Sequence, residues 1–152
     1  IPLIARWPEQ IEAGSVCDGF ISNGLDLAAT FCDVAGLEIP ETFQGQSLVP
    51  IFQGQAEGRD DIFATYHGNQ FGLYSQRMLR NREWKYVWNA SAEDELYHLV
   101  SDPGELKNLA QDPEYSDILK KMRCRLVEWM EETDDSLLNP WTENQLLSGL
   151  TR

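Results

Sequence analysis

The chain has 152 residues, 42% of them hydrophobic, and a formal net charge of −13. This length suffices for one compact domain with a core, and the composition is typical of a globular chain. The negative charge disfavours nucleic acid or an anionic bilayer as a partner, and no apolar run is long enough to span a membrane. We therefore expect neither a nucleic-acid partner nor a membrane partner.

The first part of the chain predicts one strand and two helices. Residues 1–5 are apolar and predict a buried strand. Ser22 or Asn23 can cap a following helix, and Gly36 suits the position just past its end. A short second helix is predicted over residues 47–52. The apolar residues that share one face of the first helix are Leu27, Ala28, Phe31, Cys32 and Ala35.

The second part of the chain predicts a small antiparallel sheet. A polar, glycine-bearing segment at residues 54–61 separates it from the first part, so we predict two domains, residues 1–58 and 59–152. Beyond this segment, short aromatic-rich stretches alternate with turn residues, which is typical of strands. The predicted strands are residues 62–67, 73–80, 84–88 and 95–99.

A long helix is predicted to cover this sheet. Trp84, Tyr86 and Trp88 alternate along one strand and share a face, which is more often core than a sugar-stacking surface. Asp112 can cap a helix over residues 113–132, whose apolar residues recur at helical spacing. The apolar tail from residue 134 onward is expected to pack against something.

Nine short motifs occur along the chain in an order that resembles one family. The four in the first half resemble the closing part of a sulfatase catalytic domain, and the five in the second half resemble the small C-terminal subdomain of sulfatases. The resemblance covers nearly the whole chain. The motifs are PLIARWP at 2–8, SNGLDLAAT at 22–30, AGL at 35–37, QGQSL at 44–48, Arg77 with Arg80, WKY at 84–86, ELY at 95–97, DPGE at 102–105 and NLA at 108–110.

The resemblance implies an α+β chain: the C-terminal segment of an alkaline-phosphatase-like α/β domain, followed by a four-stranded antiparallel sheet packed against a long helix. It also implies a calcium ion and a formylglycine, which sulfatases make from Cys or Ser in a Cys/Ser-x-Pro-x-Arg motif. Cys17, Cys32 and Cys124 all lie outside such a motif. We therefore expect no catalytic residue, metal or cofactor within this chain, and we expect its partner to be an upstream catalytic portion of the same protein.

Candidate substrate-binding residues lie in the turn after the first predicted strand of the sheet. In sulfatases the corresponding region approaches the substrate cleft. Here it carries His67, Asn69 and Gln70, whose imidazole and amide groups suit hydroxyl groups or a sulfate oxygen. Arg77 is a further candidate, with a surface ion pair as its alternative role. The implied substrate is a sulfated small molecule or glycan.

Other polar residues are expected to be structural. His98 lies among apolar strand residues, so it is expected to support the strand. The pairs at 60–61 and 134–135 are carboxylates without the further oxygen ligands that calcium needs, so both are expected to be solvated surface.

Three functions remain open from the sequence. The chain is a fragment of a sulfatase, a fragment of a related phosphodiesterase or phosphonate hydrolase, or a non-catalytic interaction module. We also expect the isolated chain to self-associate through the edge of its first strand, because residues 1–5 have no neighbouring strand in the predicted order.

Overall fold

The computed structural model describes residues 3–68 and 74–148. The chain divides into two compact units, Ile1–Ile62 and Phe63–Arg152. The boundary predicted from the sequence lies slightly earlier, after residue 58. Over the described ranges, no helix combines the length and the apolar character needed to cross a lipid bilayer.

The first unit contains the helices α1 (Asn23–Val34) and α2 (Val49–Phe52). Ser22 is the residue before α1, as predicted, although its side chain makes no capping hydrogen bond. After α1, Gly36 has φ of +68°, and the Leu37 amide donates to the Cys32 carbonyl oxygen at 2.9 Å. This left-handed ending is common after helices because glycine adopts it without strain. The prediction of both helices is confirmed, with α2 shorter than expected.

The predicted first strand is wrong for the residues that the structure describes. Residues 3–5 have no regular secondary structure, and the Ile4 side chain is 91% exposed. A strand needs a neighbour that satisfies its backbone hydrogen bonds, and no described segment pairs with residues 3–5. Residues 1 and 2 lie outside the described ranges.

A buried carboxylate connects the segments of the first unit. Asp26 is 0% exposed. Its Oδ2 accepts a hydrogen bond from the Ser22 amide at 2.7 Å, and its Oδ1 accepts from the Gln46 amide at 3.0 Å. Arg59 Nη2 donates to the same Oδ1 at 2.5 Å. The start of α1, the loop before α2 and the segment after α2 therefore converge on one side chain.

The second unit is built on a four-stranded sheet. The strands are β1 (Ile62–His67), β2 (Ser75–Arg80), β3 (Trp84–Asn89) and β4 (Glu95–His98), in the order β1-β2-β3-β4. The pairs β2–β3 and β3–β4 are antiparallel. Strands were predicted at all four places, although residue 73 of the second one lies outside the described residues.

Two helices complete the second unit. A 3₁₀ turn at Pro113–Tyr115 leads into α3 (Ser116–Glu132), and α4 spans Pro140–Ser148. Asp112 Oδ1 accepts a hydrogen bond from the Glu114 amide at 3.1 Å, which confirms the predicted cap. The predicted helix over 113–132 is also confirmed, with a tighter first turn.

The core of this unit lies between the sheet and α3. Tyr86 is 0% and Trp88 3% exposed, so the aromatic stripe on β3 is core, as predicted. Phe63 of β1 stacks on Trp129 of α3, with 4.7 Å between the ring centroids. The apolar tail packs here too. Its buried residues are mainly Leu79, Tyr86, Trp88, Leu96, Leu119, Met122, Leu126, Met130 and Leu146, with Leu137 and Leu138 packed against them.

A polar network fastens β3 to α3 inside this core. The Tyr86 hydroxyl donates to Asp94 Oδ2 at 2.8 Å, and Arg123 Nη2 donates to the same oxygen at 2.7 Å. Burial, and then the negative charge of Asp94, raise the pKa of Tyr86 well above its ordinary value. The phenol therefore stays protonated and acts as a donor.

The turn after β4 is closed by a backbone hydrogen bond, and a side chain ties the loop that follows; both features were predicted. The Glu105 amide donates to the Asp102 carbonyl oxygen at 3.0 Å, which closes the turn around Pro103 and Gly104. Asn108 Oδ1 accepts from the Leu96 amide at 3.0 Å, so the loop that follows is tied back to β4.

Two leucines test how much the core contributes to stability. Leu96 is 0% exposed and Leu106 is 90% exposed. We expect Leu96→Ala to lower the free energy of unfolding by about 2–5 kcal/mol, because it removes apolar contacts and leaves a cavity. The same change at Leu106 should cost less than about 0.5 kcal/mol. Urea unfolding of the two variants measures both, and equal costs would contradict the described core.

Candidate functional site

His67 is the last residue of β1, and its side chain is exposed. The next residue begins the return of the hairpin: the Gly68 amide donates to the Tyr74 carbonyl oxygen at 3.2 Å. A Cβ atom at position 68 would lie 2.9 Å from that oxygen, so the two arms approach more closely there than a side chain permits. The strand therefore ends with an imidazole at its exposed tip.

Two of the predicted site residues cannot be placed. Asn69 and Gln70 lie outside the described residues. Their predicted contact with substrate stays a prediction.

Arg77 lies within β2 and is 1% exposed. Its Nε and Nη2 donate to the two carboxylate oxygens of Asp135, at 2.5 Å and 2.8 Å. Its Nη1 donates to the Gln76 carbonyl oxygen at 2.8 Å. The alternative predicted for Arg77 was a surface ion pair, whereas the pair that forms is buried and bidentate. A substrate contact by Arg77 stays a prediction.

The expectation that Asp135 is solvated surface is wrong. Its side chain is only 6% exposed. After α3, Asp134 adopts φ of +50°, and the Asp135 amide donates to the Met130 carbonyl oxygen at 2.9 Å. This reversal directs the Asp135 carboxylate inward toward Arg77. A carboxylate is usually exposed unless a counter-charge is buried with it. Here the buried guanidinium of Arg77 provides that counter-charge for Asp135.

The electrostatics of Asp135 connect it to both Arg77 and His67. Burial by itself would raise the pKa of Asp135. Hydrogen bonds from Arg77 and the Leu137 amide outweigh this effect, and the positive charges of Arg77 and His67 add to them, so the pKa lies below its ordinary value. Asp135 is therefore ionised at neutral pH.

The position of His67 on its strand agrees with this grouping. Phe63 packs against Trp129 of α3, and His67 follows four residues later on β1, so both side chains project from the same face of the sheet. Asp135 follows α3 on that side. The alternation of side chains therefore places His67 on the side of the sheet that α3 covers, where Arg77 and Asp135 form their ion pair.

His98, the other histidine of the chain, lies at the end of β4. Its ring contacts the Trp84 ring, with 4.5 Å between centroids, and its Nδ1 lies 2.7 Å from Ser101 Oγ. Both contacts are local to the strand end, as expected for a histidine that supports the sheet.

The residues that the structure describes do not fit a calcium site. Within residues 3–68 and 74–148, no three or more His, Cys, Asp or Glu side chains are grouped so that they could hold a metal ion. Calcium takes about six to eight oxygen ligands. Cys17, Cys32 and Cys124 are free thiols. The described residues offer an exposed imidazole at the end of β1 and a buried ion pair between β2 and the segment after α3.

Removing the charge of Asp135 tests the ion pair. At neutral pH, we expect Asp135→Asn to lower the free energy of unfolding by about 3–5 kcal/mol, because the buried Arg77 guanidinium loses its counter-charge. Asp134→Asn is the matched control, since that side chain is exposed and asparagine tolerates a positive φ. Urea unfolding at pH 7 measures both, and a small loss in the Asp135 variant would contradict the pair.

The same variant predicts a dependence on pH. The pKa of Asp135 is lowered by folding, so its stabilising effect is complete above the pKa of the unfolded chain and is lost as the pH falls through the lower pKa of the folded chain. The difference in unfolding free energy between wild type and Asp135→Asn should therefore shrink below about pH 4. Urea unfolding at a series of acidic pH values tests this, and a constant difference would contradict it.

The family described as N-sulphoglucosamine sulphohydrolase, C-terminal, matches residues 1–132 of the chain. An N-acetylglucosamine-6-O-sulfatase of Bacteroides thetaiotaomicron is 33% identical over 141 residues, which cover 88% of this chain and 24% of that relative. The chain spans between 24% and 59% of the length of the first four curated relatives that it matches.

The chain also matches solved structures over only part of their length. BT4656, in complex with its substrate D-glucosamine-2-N,6-O-disulfate, superposes with a TM-score of 0.77 at 29% identity, over 87% of this chain and 28% of that chain. The phosphonate monoester hydrolase of Agrobacterium radiobacter superposes with a TM-score of 0.65 at 25% identity, over 70% of this chain and 24% of that chain. The expected α+β architecture, as part of an alkaline-phosphatase-like fold, is confirmed. The ordered motifs, the sheet packed against α3 and the family match together show that the chain belongs to the sulfatase family, where it corresponds to the C-terminal portion.

Proposed function

We propose that the protein containing this chain hydrolyses a sulfate ester, and that the chain supplies structure and one wall of the substrate pocket without being active alone. The observation that carries this proposal is the family match over residues 1–132. The calcium ion and the formylglycine that the family implies would belong to an upstream portion, because no cysteine here lies in the maturation motif.

His67 is the proposed substrate contact of this chain. Its imidazole is exposed at the tip of β1, where it can donate a hydrogen bond to a sulfate oxygen or a sugar hydroxyl. A hydrogen bond from the ring to a sulfate oxygen would be charge-assisted, because the sulfate group is an anion.

The ion pair between Arg77 and Asp135 would hold β2, the neighbour of the strand that carries His67, against the segment after α3. Both carboxylate oxygens of Asp135 accept from Arg77, so this connection is bidentate. Arg77 itself would reach a substrate only after giving up this pair. Asn69 and Gln70 remain further candidates for contact with hydroxyl groups.

A sulfated sugar is the proposed class of substrate. Two comparisons point to such compounds, one with an N-acetylglucosamine-6-O-sulfatase and one with a structure that contains its substrate, a glucosamine disulfate. The proposed partners are therefore this substrate and the upstream catalytic portion of the same protein.

A second candidate function has support from one comparison. The superposition on phosphonate monoester hydrolase shows that the architecture of this chain also serves another substrate class. A related phosphodiesterase or phosphonate hydrolase is therefore the alternative parent.

The two functions differ in the substrate that the full-length protein prefers. We expect a higher kcat/KM for an aryl sulfate than for an aryl phosphodiester, because the family match favours sulfate ester hydrolysis. Parallel assays of the two substrates with the same enzyme preparation distinguish the two functions. A preference for the phosphodiester would favour the alternative.

The two histidines of the chain supply a matched test of the site. In the full-length protein, we expect His67→Ala to lower kcat/KM for a sulfated sugar about 10- to 100-fold, the loss of one charge-assisted hydrogen bond. His98→Ala should stay within about threefold, because its contacts are structural, and thermal unfolding checks that both variants fold. Equal losses of kcat/KM in the two variants would show that His67 does not contact the substrate.

A further inference from the structure

Helix α1 buries its polar side and exposes its apolar side. Asp26 and Thr30 are 0% and 4% exposed, whereas Phe31 and Val34 are 67% and 49% exposed. Helices of globular proteins normally have the opposite arrangement. The helix therefore presents to its surroundings the face that the sequence pattern assigns to a core.

Hydrogen bonds determine which side of α1 faces inward. The Thr30 hydroxyl donates to the Asp26 carbonyl oxygen at 2.7 Å and accepts from the Leu48 amide at 2.9 Å. The Asp26 carboxylate accepts from the Gln46 amide and from Arg59. Rotation of α1 to bury its apolar residues would leave these buried groups without partners, which is unfavourable because a buried polar group without a hydrogen bond is not compensated for its lost solvation.

We call the outward side the α1 apolar face. Ala28 and Ala35 are exposed, and Leu27 and Cys32 are half-buried. None of its side chains is charged. The α1 apolar face consists of Leu27, Ala28, Phe31, Cys32, Val34 and Ala35.

The first unit has few buried hydrophobic residues that could compensate for the exposure of the α1 apolar face. In its described part, the buried hydrophobic residues are Ala29, Leu48 and Ile51. Burial of a large apolar side chain stabilises a fold, and the exposed Phe31 and Val34 do not make this contribution within the first unit. A surface of this kind marks an interaction site.

We propose that the α1 apolar face is the docking surface for the upstream portion of the same polypeptide, which would cover it with an uncharged, apolar surface. This inference rests on the proposed function. The family match is to a C-terminal portion, and the chain spans at most 59% of the first four curated relatives, so most of a typical relative lies outside the matched part.

Charge favours this occupant over a second copy of the chain. Each copy has a formal net charge of −13, so two copies repel each other as they approach. The α1 apolar face has no charged group that could offset this repulsion. An oppositely charged partner would likewise find no complementary charge on this face.

Hydrogen exchange of the full-length protein and of the 152-residue chain tests the proposal. We expect the amides of α1 to exchange at least tenfold more slowly in the full-length protein, because docking suppresses local opening of the helix. The amides of α3 buried under the sheet serve as the internal reference. Equal protection of α1 in the two proteins would overturn the proposal.

A matched pair of substitutions locates the contact. In the full-length protein, Phe31→Asp should remove most of the extra protection of α1, whereas Leu106→Asp, at a side chain that is 90% exposed in the second unit, should leave it unchanged. Unchanged exchange of α3 shows that both variants fold. Retention of α1 protection in Phe31→Asp would overturn the proposed surface.

Sedimentation of the 152-residue chain tests the second copy as occupant. A monomer supports the upstream portion as the partner, whereas a dimer that Phe31→Asp dissociates would overturn this choice. None of these measurements depends on catalysis. A full-length protein that protects α1 but leaves sulfate esters intact would therefore refute the proposed function and not the docking surface.

Discussion

The inner face of the four-stranded sheet is too apolar to remain in water, and α3 covers it. Tyr86 and Leu96 are completely buried there, and the stacking of Phe63 on Trp129 extends the contact to β1. The position of α3 in turn decides where the chain goes next. Because the helix ends beside the sheet, the reversal that follows carries Asp135 to Arg77.

The main effect of the buried pair of Arg77 and Asp135 is to determine where the segment after α3 lies, rather than to add net stability. Burying two charges costs solvation free energy that their attraction only partly offsets, but neither can be removed alone without leaving the other unpaired. The pair therefore joins β2 to the segment after α3. His67 is exposed at the end of β1, and its proposed contact with substrate rests on the resemblance of this region to the part of sulfatases that approaches the substrate cleft.

The helices α3 and α1 differ in whether their own unit buries their apolar residues. In α3, Leu126 and Met130 are fully buried by the sheet of the same unit. In α1, Phe31 projects outward while Asp26 and Thr30 are held inside by hydrogen bonds. The second unit thus covers the inner face of its own sheet, whereas the first leaves the α1 apolar face exposed, and the proposed complement of that face is the upstream portion of the polypeptide. This difference agrees with a chain that corresponds to only part of its relatives.

Local pattern in the sequence determined the four strands of the sheet, the extent of α1 and α3, and the cap at Asp112, because each depends on residues only a few positions apart. The order of short motifs likewise identified the sulfatase family. Tertiary structure alone decided the rest: residues 3–5 form no strand, since a strand requires a distant partner, and Asp135 is buried, since Arg77 lies 58 positions away in sequence. The apolar face of α1 was recognisable as a face, but its outward direction depends on hydrogen bonds to Gln46, Leu48 and Arg59, because periodicity reveals which residues lie together and not what they pack against.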